Sequence, residues 1–262
     1  MDLQKICEAV KTISKEVGEF IAEERKHFET EKIEYKDLNN VVSYVDKEAE
    51  KRLVDYLRLI LPDAGFITEE DTVENSKPIG LNWIIDPLDG TANFVHNLPH
   101  YSVSVALYDG KIGLVGVVYE ICRDKTFWTF KGGGAYCDDV KLKVSNSLKL
   151  DESLFATGFP YYKFEQMQAY LLILESLMQK THGLRRAGSA ALDLAYVAAG
   201  YYDGFFEYNL KSWDMAAGIL LIEEAGGKVS DFEGKDDFLF GRNIVAASEV
   251  HTELLKEIQR FW

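Results

Sequence analysis

Leu3, Ile6, Val10, Ile13, Val17 and the Phe20/Ile21 pair recur at intervals of three and four, which predicts one long amphipathic helix over residues 3–27. A second run of that period, KEAEKRLVDYLRLIL at 47–61, follows Asp46 and stops before Pro62. An Asp just ahead of a periodic run is a favoured N-cap, and capping is one open reading of Asp46. LNWIID then reads as a buried strand. Between Tyr101 and Val144, short β-branched and aromatic runs are broken by Asp109-Gly110, Arg123-Asp124 and Gly132-Gly133-Gly134, the pattern of an antiparallel meander. The rest alternates: a helix near 162–180, an Ala-rich helix near 189–200, a strand YDGFFEY, a helix DMAAGILLIEEAG closed by Gly226-Gly227, and a terminal helix from about 249.

Helices and strands in alternating blocks predict stacked α and β layers rather than regular βαβ winding. No repeat or flexible linker divides the 262 residues. They are expected to form one domain of two lobes, about 1–148 and 149–262, that behave as one cooperative unit.

Composition narrows the function. Hydrophobic residues at 47% and charged residues at 27% are the proportions of a soluble globular chain. With 29 Lys+Arg against 43 Asp+Glu the formal charge is −14, a field that repels nucleic-acid phosphates and anionic lipid. A phosphorylated small molecule would be repelled too, unless metal ions or helix N-termini reverse the field locally. Cys7, Cys122 and Cys137 form no CxxC, arguing against a disulfide framework or zinc cluster and for a reducing compartment. Residues 1–17 carry scattered charges without an apolar h-region and no run reaches membrane length, so neither export nor insertion is expected and a cytoplasmic protein is.

The acids in WIIDPLDGTANF, residues 83–94, fit no surface pattern. Pro87 fixes φ and Gly90 permits a tight turn, so Asp86, Asp89 and the Leu88 carbonyl can converge on one point. Oxygen ligands that close repel one another unless a hard cation such as Mg2+ lies among them. Taken singly, each piece has a plainer reading: Asp86 and Asp89 as a solvated turn, Glu69 and Glu70 in GFITEED as a surface charge run, and Asp214 as a helix N-cap. Thr91-Ala92-Asn93 follows Gly90, and a helix start there would offer N–H groups to a phosphate.

TEED, WIIDPLDGTANFVH and SWDMAAG…EEAGG, in that order, resemble the three signatures of the inositol monophosphatase family, and the resemblance covers essentially the whole chain. It implies an α+β fold, a layered α-β-α-β-α sandwich of the sugar phosphatase type, and a Mg2+-dependent, lithium-sensitive, usually homodimeric phosphomonoesterase. Carried over, Glu69, Asp86 and the Leu88 carbonyl would hold one Mg2+. Asp86, Asp89 and Asp214 would hold a second, and a weaker third ion would lie near Glu69. Asp46 and Thr91 would orient the attacking water and take its proton; the Gly90 and Thr91 amides would bind phosphate. Gly188, Ser189, Ala190 and Glu207 would face the alcohol. Glu70 would either support the ligands from behind or stand solvated beside them, and His96, His100 and His182 are expected to be structural or peripheral. Arg185 and Arg186 would either attract anions near a dimer partner or cover apolar surface.

Thr68 stands where a glycine commonly precedes the two glutamates, and Ala92 where a threonine commonly follows Gly-Thr; neither change removes a ligand. No lysine follows Gly90-Thr91, which favours the inositol phosphatase branch over the adenosine bisphosphate nucleotidases. The expected reaction is hydrolysis of a small polyol phosphate, above all inositol 1-phosphate. Rival readings keep the chemistry for fructose 1,6-bisphosphate, histidinol phosphate or a 3′-phosphonucleotide, or make the chain a partner of the transcription machinery with incidental phosphatase activity.

Overall fold

The computed structural model describes residues 1–28, 33–37, 40–160 and 162–262. α1 (Leu3–His27) is followed by a hairpin of β1 (Ile33–Asp37) and β2 (Asn40–Ser43), then by α2 (Tyr44–Ile60). β3 (Gly65–Thr68) and β4 (Leu81–Asp89) run parallel. Beyond the short α3 (Thr91–Val95), the meander comprises β5 (Ser102–Asp109), β6 (Ile112–Glu120), β7 (Lys125–Phe130), β8 (Gly134–Cys137) and β9 (Val140–Lys141). These seven strands, β3 to β9, lie side by side in chain order.

The second half contributes β10 (Leu154–Thr157), α4 (Met167–Lys180), β11 (Gly183–Arg185), α5 (Ala190–Ala198), β12 (Gly204–Tyr208) and α6 (Ser212–Glu224). β13 (Lys228–Ser230), α7 (Phe238–Gly241), β14 (Asn243–Ala247) and α8 (His251–Gln259) complete it. Its sheet has the order β11-β10-β12-β14-β13, mixed parallel and antiparallel.

The period-two alternation of each strand sorts its side chains into separate cores. Trp83 and Ile85 of β4 pack with α1 and α2, whereas Ile84 between them packs with α5 and α6. In β12, Phe205 faces that same α5–α6 layer and Phe206 faces α4 and α8. The layers therefore run α-β-α-β-α, with α5 and α6 between the two sheets. Their contact is close: a Cβ added to Gly218 would lie 2.4 Å from the Leu194 Cβ. Each fully buried Phe or Leu in these cores contributes about 1.5–3 kcal/mol relative to exposure.

Three helix starts differ from the sequence expectation, and the first is α4, which begins at Met167 rather than near 162. α2 begins at Tyr44 because the Ser43 hydroxyl accepts from the Val45 N–H at 3.1 Å, which moves the cap ahead of Asp46. Asp46 is thereby the third helical residue and accepts from the Ser43 N–H at 2.9 Å, closing a capping box. In α6 the N-cap is Lys211 and Asp214 is again the third residue, accepting from the Lys211 N–H at 2.6 Å.

Candidate active site

β3 ends at Thr68, opposite Ile85, and β4 runs on past it to Asp89. Thr68 pairs with Ile85, so the next residue, Glu69, falls beside Asp86 and hydrogen-bonds to it. The ladder to β5 is irregular between Asp86 and Asp89, as expected where Pro87 interrupts pairing, and the two carboxyls turn toward one place. α6 approaches from the other half and delivers Asp214. One carboxylate oxygen from each of Asp86, Asp89 and Asp214 lies within 4.8 Å of the others.

This cluster is electrostatically unfavourable on its own. Burial, then the charges of Glu69, Asp89 and Asp214, hold the Asp86 carboxyl well above the usual carboxylate range. Burial raises Asp89 to about 6 against hydrogen bonds from Ser189 and the α5 amides. Burial and the Asp89 charge raise Asp214 to about 7. Three or four acids with hard oxygen donors and no imidazole or thiolate among them fit a hard divalent cation.

Each acid is held by its own element. Asp89 Oδ2 accepts from Ser189 Oγ at 2.5 Å and from the Ala191 N–H at 2.8 Å, at the start of α5. Glu50, fully buried on α2, accepts from the Glu70 N–H at 2.7 Å and from the Thr72 N–H and hydroxyl at 2.8 and 2.7 Å. It ties down the loop that carries Glu69. The Leu88 N–H donates to Asp86 Oδ1 at 3.0 Å.

Gly90 turns the chain at φ 95°, ψ 35°, and a Cβ there would meet the His100 carbonyl at 3.1 Å and the Gly188 carbonyl at 3.3 Å. Only glycine meets both demands without strain. α3 starts at once, placing the Thr91 hydroxyl 2.9 Å from Asp46 Oδ1 and 3.0 Å from the Leu88 carbonyl. The second Asp46 oxygen accepts from the Ser43 hydroxyl at 2.6 Å. Asp46, though 1% exposed, is thus hydrogen-bonded on both oxygens, and burial raises its pKa against those bonds.

A cleft of about 140 Å3 opens beside the cluster, lined among others by Asp89, Asp214, Gly188, Ser189, Ala190 and Glu207. Burial pushes Glu207 up to about 8, with Arg186 opposing and Asp214 and Asp89 adding to the rise. The Asn93 side chain joins two loops, donating to the His100 carbonyl at 2.7 Å and the Ala187 carbonyl at 3.0 Å.

Hydrogen bonds and the cleft lining thus link the candidate residues of the two halves, Asp46, Leu88, Asp89 and Thr91 on one side and Ser189, Glu207 and Asp214 on the other. Within them the three aspartates form the tight group, Glu69 adjoins Asp86, and Gly188, Ser189, Ala190 and Glu207 border the cleft. His96 and His182 are exposed, and the His100 ring stands edge-on to Tyr196 at 5.9 Å between centroids. Arg186, read from sequence as an anion attractor or a cover for apolar surface, borders the cleft and also lies 5.5 Å from the Phe159 ring centroid. Asp193, Thr157 and Gly158, not among the residues expected from the sequence, also line the cleft. For Asp193 the signal was present: it is the one acid in the apolar run AALDLAYVA.

The sequence model of the inositol monophosphatase family matches residues 2–262. The Nus factor SuhB of Haemophilus influenzae is 40% identical over 247 residues, covering 94% of this chain and 92% of its own. An inositol-1-monophosphatase of Mesorhizobium japonicum is 38% identical over 260 residues, covering 98% of this chain and 94% of its own. Among solved structures, the extragenic suppressor protein suhB of Bartonella henselae superposes with a TM-score of 0.91 at 36% identity, covering 98% of this chain and 99% of that one.

Proposed function

The chain belongs to the inositol monophosphatase family, and from that premise we propose that it hydrolyses a small polyol phosphate, above all inositol 1-phosphate, with Mg2+. The observation that carries the reading is the meeting of Asp86, Asp89 and Asp214, brought together from β4 and α6 in a buried place that disfavours their charge. An all-oxygen, strongly acidic donor set suits Mg2+. We assign Glu69, Asp86 and the Leu88 carbonyl to one ion and Asp86, Asp89 and Asp214 to a second, with a weaker third near Glu69. When bound, such ions supply a water of lowered pKa and positive charge at the departing ester oxygen.

The chain's own groups do the rest. One Asp46 oxygen is engaged by Ser43, and the other receives the Thr91 hydroxyl proton. Thr91 Oγ1 then has a lone pair left to accept from the attacking water, and the proton moves toward Asp46, whose pKa burial has raised. The Gly90 and Thr91 amides at the start of α3 meet phosphate oxygens. Gly188, Ser189, Ala190 and Glu207 meet the alcohol. We further propose a homodimer in the cytoplasm, with the lithium sensitivity the family resemblance implies.

The test is phosphate release from inositol 1-phosphate, fructose 1,6-bisphosphate, histidinol phosphate and a 3′-phosphonucleotide, each with Mg2+ and with chelator. Metal-dependent turnover fastest on the inositol ester supports the reading. Turnover fastest on another ester moves the substrate, and none on any ester sinks the enzyme.

A second reading has a specific motive: the 40% identical relative from Haemophilus influenzae carries the name Nus factor. In that reading the chain serves transcription through a protein partner. An Asp86→Asn variant that lacks turnover yet retains the cellular role would favour it.

A further inference from the structure

The cleft has two carboxyls besides the metal-binding aspartates: Glu207 from β12 and Asp193 from the first turn of α5. Asp193 has no job in the chemistry described so far. It is 2% exposed, and its Oδ1 has no hydrogen-bond partner among the described residues. Its position near the N-terminus of α5 helps tolerate the charge but leaves that oxygen unmatched. Buried polar atoms without partners are rare in folded proteins, and each asks for an explanation.

The neighbouring groups do not satisfy it. The Thr157 hydroxyl, which shares the cleft wall, lies 2.7 Å from the Phe206 carbonyl. The Ser189 hydroxyl donates to Asp89. Arg186 is the cation of the wall, and its charge is shared among Asp193, Glu207 and Asp89. Burial, then the charges of Glu207 and Asp89, keep the Asp193 carboxyl well above the usual range. A hydroxyl answers Oδ1 in either protonation state, because it can both donate and accept.

Resting on the phosphatase reading above, we propose that Asp193 is a specificity-determining residue whose Oδ1 takes a hydroxyl of the leaving alcohol remote from the ester. The cleft then selects polyhydroxylated alcohols. An apolar leaving group would cover Oδ1 without pairing it, and sites that bury a polar group against a substrate hydroxyl reject analogues lacking it.

The experiment compares kcat/KM for inositol 1-phosphate and for phenyl phosphate, whose leaving group has no second hydroxyl, in the wild type, Asp193→Ala and Asp193→Asn. Asp193→Ala is expected to lose about 10- to 100-fold on the inositol ester and less than about threefold on phenyl phosphate. Asp193→Asn, which keeps hydrogen-bonding capacity, is expected to recover most of the loss. Asp193→Leu, close in volume, repeats the comparison if thermal melting shows the alanine variant unfolded. Equal losses on both esters, or none on either, overturn the inference while leaving the phosphatase reading intact. A wild type silent on every ester overturns both.

Discussion

Asp46 serves two structures at once: its carboxylate closes the capping box of α2 and also receives the Thr91 hydroxyl. If Thr91 and Asp46 handle the water rather than the metal, Thr91→Ala and Asp46→Asn will lower kcat by about 100-fold or more. Half-saturating Mg2+ should then stay within about threefold of the wild type. A parallel rise in the Mg2+ requirement would instead make them part of the metal site. The aspartates titrate in a direction that can be checked. Asp89 is raised to about 6 and Asp214 to about 7, against about 3.9 in an unfolded chain. The unfolded chain therefore gives up these protons first, and their contribution to stability, full below about pH 4, is lost as pH rises toward 7. A bound cation removes that penalty and competes with the protons. The Mg2+-induced rise in Tm should grow from pH 5 to pH 8, and half-saturating Mg2+ should climb as pH falls below about 7. Taking the difference with and without Mg2+ cancels groups such as His100, which burial and Arg123 push down to about 4.

At the scale of elements, α5 links the two halves of the site through Ser189, which accepts from the Leu192 N–H and donates to Asp89. Ser189→Ala removes a cap and one Asp89 partner. Thermal melting should show a loss of about 1 kcal/mol, a drop in Tm of roughly 2–4 °C, together with weaker Mg2+ stabilisation. The long helices and the meander were legible, α1 from the period of Leu3 to Ile21 and β4 from its apolar run, but of the second sheet only β12 was, because β10, β11, β13 and β14 are three to five residues long and too short to show a period. The starts of α2 and α6 were less legible, because Ser43 and Lys211 lie outside the apolar periodicity and cap from ahead of it. Asp86, Asp89 and Asp214 stood out as acids beside apolar runs. Glu50 did not, because an acid every few residues is ordinary on a helix such as α2 and only tertiary packing buries it, whereas Asp193 carried the same signal as the three aspartates, a lone acid in an apolar run. Asn93, too, acquires its role only when the loops of His100 and Ala187 meet.

At the scale of the molecule, both sheets pack onto the α5–α6 layer, and the site sits where that layer meets the ends of β3 and β4. Neither sheet can lose this layer without exposing the core of the other. We propose that residues 1–148 and 149–262 unfold as one cooperative unit: urea transitions followed by fluorescence and by far-UV circular dichroism should coincide, and separated midpoints would divide the lobes. The same coupling brings Asp214 to Asp86 and Asp89, so folding of the whole chain assembles the acidic cluster. We propose that these three acids bind the ions that drive hydrolysis. Phosphate release from inositol 1-phosphate against free Mg2+, followed for the wild type and Asp214→Asn side by side, decides this. Turnover that saturates with Mg2+, vanishes with chelator and falls at least about 100-fold in a folded variant is the expected result. Turnover indifferent to Mg2+, or undiminished in Asp214→Asn, would contradict it.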